Sequence, residues 1–150
     1  MNTALRDKAL QLLSSRAHSR KELRDKLRRK ANPDEAEMEE ILDWLTEMGF
    51  LDDRSYAASV VCHCGGKGYG RQRAVSELNR RGIDRTLWEE ALQELPETDE
   101  ALDRLIRAKL RDPGDRDEVR KVYASMMRRG YSHEDVRKAL ERLQALEEYD

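Results

Sequence analysis

The chain has 150 residues, of which 40% are charged and 5% aromatic, with a formal net charge of -2. That balance excludes a uniform polycation for nucleic acid, and regularly spaced Leu, Ala, Val and Met exclude disorder. The start, Met1-Asn2-Thr3-Ala4-Leu5-Arg6-Asp7-Lys8, meets charges at once and offers no apolar leader. No apolar run reaches the ~18 residues of a membrane helix. Two cysteines two positions apart cannot staple distant segments. A cytoplasmic protein is expected.

Apolar residues fall at helical spacing throughout, and β-branched residues are sparse. Ala4 to Ser15 carries Leu5, Ala9, Leu12 and Leu13 on one stripe. Ser19 with Glu22 forms a capping box that opens a helix to about Lys30, with Leu23 and Leu27 inward. Pro33 suits the first position of the next helix, which carries Met38, Ile41, Leu42 and Leu45 and closes at Gly49. A second cycle predicts Arg54 to Cys64 broken by Gly65-Gly66, Gly70 to Arg81, and Arg85 to Leu95 capped by Asp84. A third predicts Thr98 to Leu110, Asp117 to Arg129, and Glu134 to about Ala145 capped by Ser132 and Asp135.

The cycles overlay. Leu23, Ala74 and Val122 correspond, as do Leu27, Leu78 and Met126, and Ala31, Gly82 and Gly130 share the helix-ending position. The period is roughly 50 residues, at the upper end for helical repeats. Units so small bury their stripes against neighbours. The expected fold is all-α: three tandem three-helix repeats, 1–53, 54–97 and 98–150, stacked into an elongated, curved, right-handed-type array.

Charge follows the cycle. Residues 1–31 hold ten Lys/Arg and three Asp/Glu, whereas residues 32–53 hold no Lys/Arg and nine Asp/Glu. Residues 54–82 hold six and one, and residues 83–103 hold one and eight. Residues 104–131 hold nine and four, and residues 132–150 hold three and six. The first two helices of each repeat are therefore basic and the third acidic. Aligned basic helices would suit a phosphate backbone and an acidic ridge a basic protein surface. The bland alternative is pairing of opposite charges inside each repeat.

The loop Gly65-Gly66-Lys67-Gly68-Tyr69-Gly70 leads into Arg71 and Arg73. Glycines before a helix start let backbone amides approach an anion, although the spacing is not that of a P-loop. Lys67, Arg71 and Arg73 are candidates for a nucleic-acid phosphate or an acidic partner; the other reading is a plain turn with Tyr69 packed inward. Cys62-His63-Cys64 lacks metal-ligand spacing, so no metal or cofactor is expected. Trp44 and Trp88 read as packing residues. No nucleophile, base and orienting group come together, so an enzyme is not expected.

Several short pieces together resemble the RecX family. They are Ser19-Arg20-Lys21-Glu22-Leu23 with Leu27, Ile41-Leu42-Asp43-Trp44-Leu45, and Gly49-Phe50-Leu51-Asp52-Asp53-Arg54 with Tyr56-Ala57. Lys67-Gly68-Tyr69-Gly70 and Glu77-Leu78 with Arg81-Gly82-Ile83 complete the set. The chain differs from the family's usual pattern at Ala31, a glycine in the family, at Arg71, commonly a proline, and at Cys62-His63-Cys64, usually an arginine-bearing segment. The resemblance implies tandem three-helix repeats and a regulator that binds RecA and lies in the groove of RecA–single-stranded DNA filaments. It implies inhibition of recombinase, ATPase and coprotease activity, and so a place in homologous recombination, DNA repair and the SOS response. On that reading the acidic third helices face RecA. Arg54, Lys67, Arg71, Arg73, Arg80 and Arg81 approach DNA phosphate or acidic RecA surface, and Tyr56 and Tyr69 position the central loop. A monomer is expected, with weak direct binding to DNA. The alternatives are a helix-turn-helix-like DNA-binding regulator, built around Arg80-Arg81-Gly82-Ile83, and a helical adaptor for another protein.

Overall fold

In a computed structural model, residues 1–148 are described; the last two positions of the expected third repeat lie outside them. The described residues form nine α-helices and one short 3₁₀ turn, with no strand. The helices are α1 (Thr3–Ser15), α2 (Arg20–Ala31), α3 (Glu35–Glu47), α4 (Asp53–Gly66), α5 (Arg71–Arg80), α6 (Trp88–Leu92), α7 (Thr98–Lys109), α8 (Arg116–Arg128) and α9 (His133–Glu148). The chain divides into two compact units, and the boundaries fall inside α4, α5 and α6. One unit holds Met1–Ser59 with Glu77–Ala91, the other Val60–Ser76 with the chain from Leu92 onward.

The first unit packs the stripes read from the sequence. Leu5, Ala9 and Leu12 of α1 meet Leu23 and Leu27 of α2 and Met38, Ile41, Leu42 and Leu45 of α3, with Leu51 beneath. The capping box forms in full. Ser19 Oγ accepts from the Glu22 N–H (3.0 Å) while Glu22 accepts from the Ser19 N–H (3.1 Å), which satisfies two otherwise orphaned donors. The helix α2 runs through Ala31, and Asn32 takes the left-handed position instead (φ 41°). Pro33 accordingly lies in the link, and Asp34 precedes the first residue of α3.

The second unit has its own core, in which Leu102, Ile106 and Leu110 meet Val122, Met126, Tyr131, Val136 and Ala139. Ser132 Oγ accepts from the Asp135 N–H (3.1 Å), the expected cap of α9.

Two expected boundaries move. Gly65 and Gly66 do not break α4, because two helical glycines cost only ~1 kcal/mol each. Gly65 instead leaves room for Pro96, whose Cδ would sit 3.0 Å from a Cβ there. The helix stops at Gly68 (φ 80°), where the Gly68 N–H reaches the Gly65 carbonyl and the Tyr69 N–H the Cys64 carbonyl, both at 3.0 Å. The third helix of the middle group also ends early. Asp84 caps the Thr86 N–H (2.9 Å) and draws Arg85–Leu87 into a 3₁₀ turn. Pro96 disfavours helix at the residue before it, so α6 ends at Leu92 rather than Leu95.

Candidate functional site

The eight residues singled out in the sequence fall into two sets, one in each unit. Arg54, Tyr56, Arg80 and Arg81 belong to the first. Arg54 is exposed and its Nε lies 3.1 Å from Glu90. Arg80 pairs with Glu77 at 2.7 Å, one turn back on α5. Tyr56 is buried, and its hydroxyl accepts from Arg81 Nη1 (2.6 Å) and Arg16 Nη1 (3.3 Å). Arg81 also pairs with Glu77 (3.4 Å), and its carbonyl accepts from Ser19 Oγ (2.5 Å).

This network shifts titrations in consistent directions. Burial alone would raise the Glu22 carboxyl, but the Ser19 N–H, the Tyr56 hydroxyl and Arg16 outweigh it and hold it below the usual range. Burial pushes the Tyr56 phenol up, although the Arg81 bond opposes it. Glu77 is likewise lowered, because Arg80 and Arg81 outweigh its desolvation. Within this unit, then, Tyr56 and Arg81 tie α4 and α5 to the capped start of α2.

Lys67, Tyr69, Arg71 and Arg73 belong to the second unit, and all but Arg71 line one feature there. An open depression of about 520 Å³ is bounded by Lys67, Tyr69 and Arg73 together with Ser125, Arg128 and Arg129 of the α8 end. The guanidinium of Arg73 lies 4.1 Å from the Tyr69 ring centre, and its Nη1 donates to the Arg128 carbonyl (3.4 Å). Arg129 Nη1 donates to the Lys67 carbonyl (3.0 Å). Lys109 reaches the margin, with Nζ 3.0 Å from Ser125 Oγ. Among the described residues no carboxylate pairs with Lys67, Arg73, Arg128 or Arg129. Arg71 is exposed at the start of α5.

The glycine loop works differently from the expectation that its amides would be open to an anion. The Gly70 N–H donates to the Arg129 carbonyl (2.8 Å) and the Gln72 N–H to the Gly130 carbonyl (3.1 Å). A Cβ on Gly70 would stand 2.8 Å from the Gly130 oxygen, and one on Gly130 2.5 Å from the Arg73 nitrogen. The glycines thus let two main chains join, and an anion here would be held by side chains.

Sequence reasoning missed Ser125, Arg128 and Arg129. The signal was in the repeat overlay, which set Gly130 on Gly82 and therefore Arg128-Arg129 on Arg80-Arg81. Cys62 is exposed and Cys64 buried. Among the described residues no cluster of His, Cys, Asp and Glu could hold a metal ion, and no helix is long and apolar enough to cross a membrane.

Comparison with known proteins places this geometry. Models of the first, second and third three-helix domains of RecX match residues 6–45, 52–92 and 97–140. The chain is 34% identical over 139 residues to the regulatory protein RecX of Vibrio vulnificus, covering 90% of each. It is 43% identical over 91 residues to that of Pseudomonas syringae pv. tomato, covering 61% of this chain and 58% of the relative. Against the Escherichia coli K12 protein it is 37% identical over 99 residues, covering 60% of each. The matches to those last two thus span less than two thirds of the relative's length.

Two crystal structures share the fold. That of RecX from Lactobacillus salivarius superposes with a TM-score of 0.75 at 24% identity, covering 95% of this chain and 96% of that one. A second, of regulatory protein RecX, gives 0.77 at 22% identity, covering 93% and 72%. With matched domains running through nearly the whole sequence, this chain belongs to the RecX family.

Proposed function

We propose that this protein is an inhibitory regulator of the RecA recombinase, binding RecA and lying in the groove of the RecA–single-stranded DNA filament. The observation that carries the reading is the match to all three RecX domains in order, with curated relatives named as regulatory protein RecX. The protein acts by occupying surface rather than by chemistry, as a cytoplasmic monomer in DNA repair, recombination and the SOS response. Its repeats, at 1–53, 54–97 and 98–150, each present contacts of modest strength. Spread over adjacent subunits of a filament, such contacts sum by avidity and favour the filament over free RecA.

In this reading the acidic third helices face RecA, while Arg54, Lys67, Arg71, Arg73, Arg80 and Arg81 meet DNA phosphate or acidic RecA surface. Tyr56 and Tyr69 hold the central segment in place. The helix-turn-helix alternative is weakened by α6, which has five residues and carries Glu89 and Glu90; a recognition helix must present its N-terminal turns to a polyanion. The adaptor alternative has no observation in its favour.

The test is RecA-dependent ATP hydrolysis on single-stranded DNA. Added protein should suppress it, and Arg71→Glu with Arg73→Glu should relieve the suppression while helicity by circular dichroism is unchanged. Undiminished hydrolysis at saturating wild-type protein would refute the reading.

A further inference from the structure

The second unit spends no carboxylate on four cations gathered around one open hollow. Like charges so placed repel, and nothing inside the described fold compensates Lys67, Arg73, Arg128 or Arg129. Two of the four are nonetheless held in place. Arg73 is braced by the Tyr69 ring and the Arg128 carbonyl, and Arg129 by the Lys67 carbonyl. Each guanidinium carries five donors, so most remain available after these contacts. Preorganised planar forks suit oxyanions, to which they donate in pairs.

We propose that this hollow binds the sugar–phosphate backbone of a nucleic acid, independent of base sequence and without help from RecA. The lining favours this over an acidic protein. Protein interfaces draw their energy from aromatic, aliphatic or arginine anchors in fully desolvated pockets, and this hollow is open. Among the described lining residues the one aromatic, Tyr69, is already covered by Arg73, and the others are Lys, Arg or Ser. Neutralising phosphates with Lys and Arg releases condensed counterions and needs no anchor. Contacts to phosphate carry no sequence information, so binding through them is independent of base sequence. The site deepens the DNA half of the proposed function, but its test needs no recombinase.

The measurement is fluorescence anisotropy of a short labelled oligodeoxynucleotide of random sequence, titrated with the full chain at several salt concentrations. Lys67→Glu with Arg128→Glu, both on exposed side chains, should weaken binding by at least about tenfold. It should also flatten the slope of log affinity against log salt by about 1.4–1.8, the share of two phosphate contacts. Lys67→Gln with Arg128→Gln should move both readings the same way by less, with an unchanged thermal melt. Arg120→Gln, which removes a cation already paired with Asp117, should stay within about twofold of wild type.

Unaltered binding in the double variants, or an equal loss in Arg120→Gln, overturns the proposal. So does displacement of the oligonucleotide by an oligoglutamate peptide as readily as by tripolyphosphate, since the hollow would then be a site for acidic protein. RecA inhibition that persists while oligonucleotide binding ignores these residues sinks this site and leaves the proposed function standing. Oligonucleotide binding without RecA inhibition does the reverse.

Discussion

One cationic cluster in each unit is handled in the opposite way to the other. In the first, α2 turns three of its four arginines toward the acidic helix beside it. Arg20 reaches Glu39 (2.8 Å) and Asp43 (2.7 Å), Arg24 reaches Glu39 (2.9 Å), and Arg28 reaches Glu35 (2.9 Å). Even the buried His18 is answered: its Nδ1–H donates to the Arg16 carbonyl (2.9 Å), and Lys26 Nζ donates to Nε2 (2.8 Å). In the second, the cations around the hollow meet a ring and carbonyl oxygens but, among the described residues, no carboxylate. A basic block in a sequence therefore has no fixed meaning: in one case it closes on its neighbour, in the other it stays open to a ligand.

The strongest way to break this contrast is to spoil the joint beneath the hollow. Gly130→Ala places a Cβ 2.5 Å from the Arg73 nitrogen at φ 95°, for a cost of about 2–4 kcal/mol by overpacking and left-handed strain. Urea unfolding should report that loss. Oligonucleotide affinity should fall with it, because the Gly70–Arg129 main-chain bond holds the two cationic segments together.

A smaller effect sharpens the closed side. The His18 imidazole titrates below its ordinary value, chiefly through burial and further through Arg16 and Lys26, against the Arg16 carbonyl bond that raises it. The folded protein thus binds that proton less readily than the unfolded chain. Stability is full above the unfolded value of about 6.5 and drains away as pH falls from there through the depressed folded value. Denaturation midpoints taken between neutral and mildly acid pH should show this slope. His18→Gln should flatten it.

The smallest effect belongs to the paired surface itself. Glu39→Gln breaks both the Arg20 and Arg24 contacts, yet these side chains are partly solvated, so the loss should stay under about 1 kcal/mol and shrink in high salt. The Glu39 carboxyl sits low because Arg20 and Arg24 hydrogen-bond it. Its contribution is present above the ordinary carboxylate pKa and disappears as pH drops through the lowered one. Oligonucleotide binding should be indifferent to this change, in contrast to the variants at the hollow.

Much of this molecule could be read in its sequence. Period, caps and leucine stripes mark the helices because they record local geometry and burial, as the Ser19–Glu22 box and the Leu23 and Leu27 positions illustrate. Charge pairing could not be read, since whether Arg24 finds Glu39 depends on how α2 rotates against α3. The glycine loop was ambiguous for a physical reason: a missing Cβ makes room equally for a phosphate or for another backbone. Gly70 and Gly130 turned out to serve the second purpose. Helix length failed where a distant or following proline intervened, with Gly65 accommodating Pro96 inside α4 and Pro96 itself shortening α6.

The joint between Gly70 and Arg129 is written in peptide atoms, which every amino acid carries. Apart from its glycines, it places few demands on which residues decorate it. Mutation can therefore recolour the rim, exchanging lysine for serine or arginine for glutamine, while the architecture underneath persists. A lineage bearing this joint could retune its appetite for polyanions quickly, one surface residue at a time, without first having to re-evolve a way to fold.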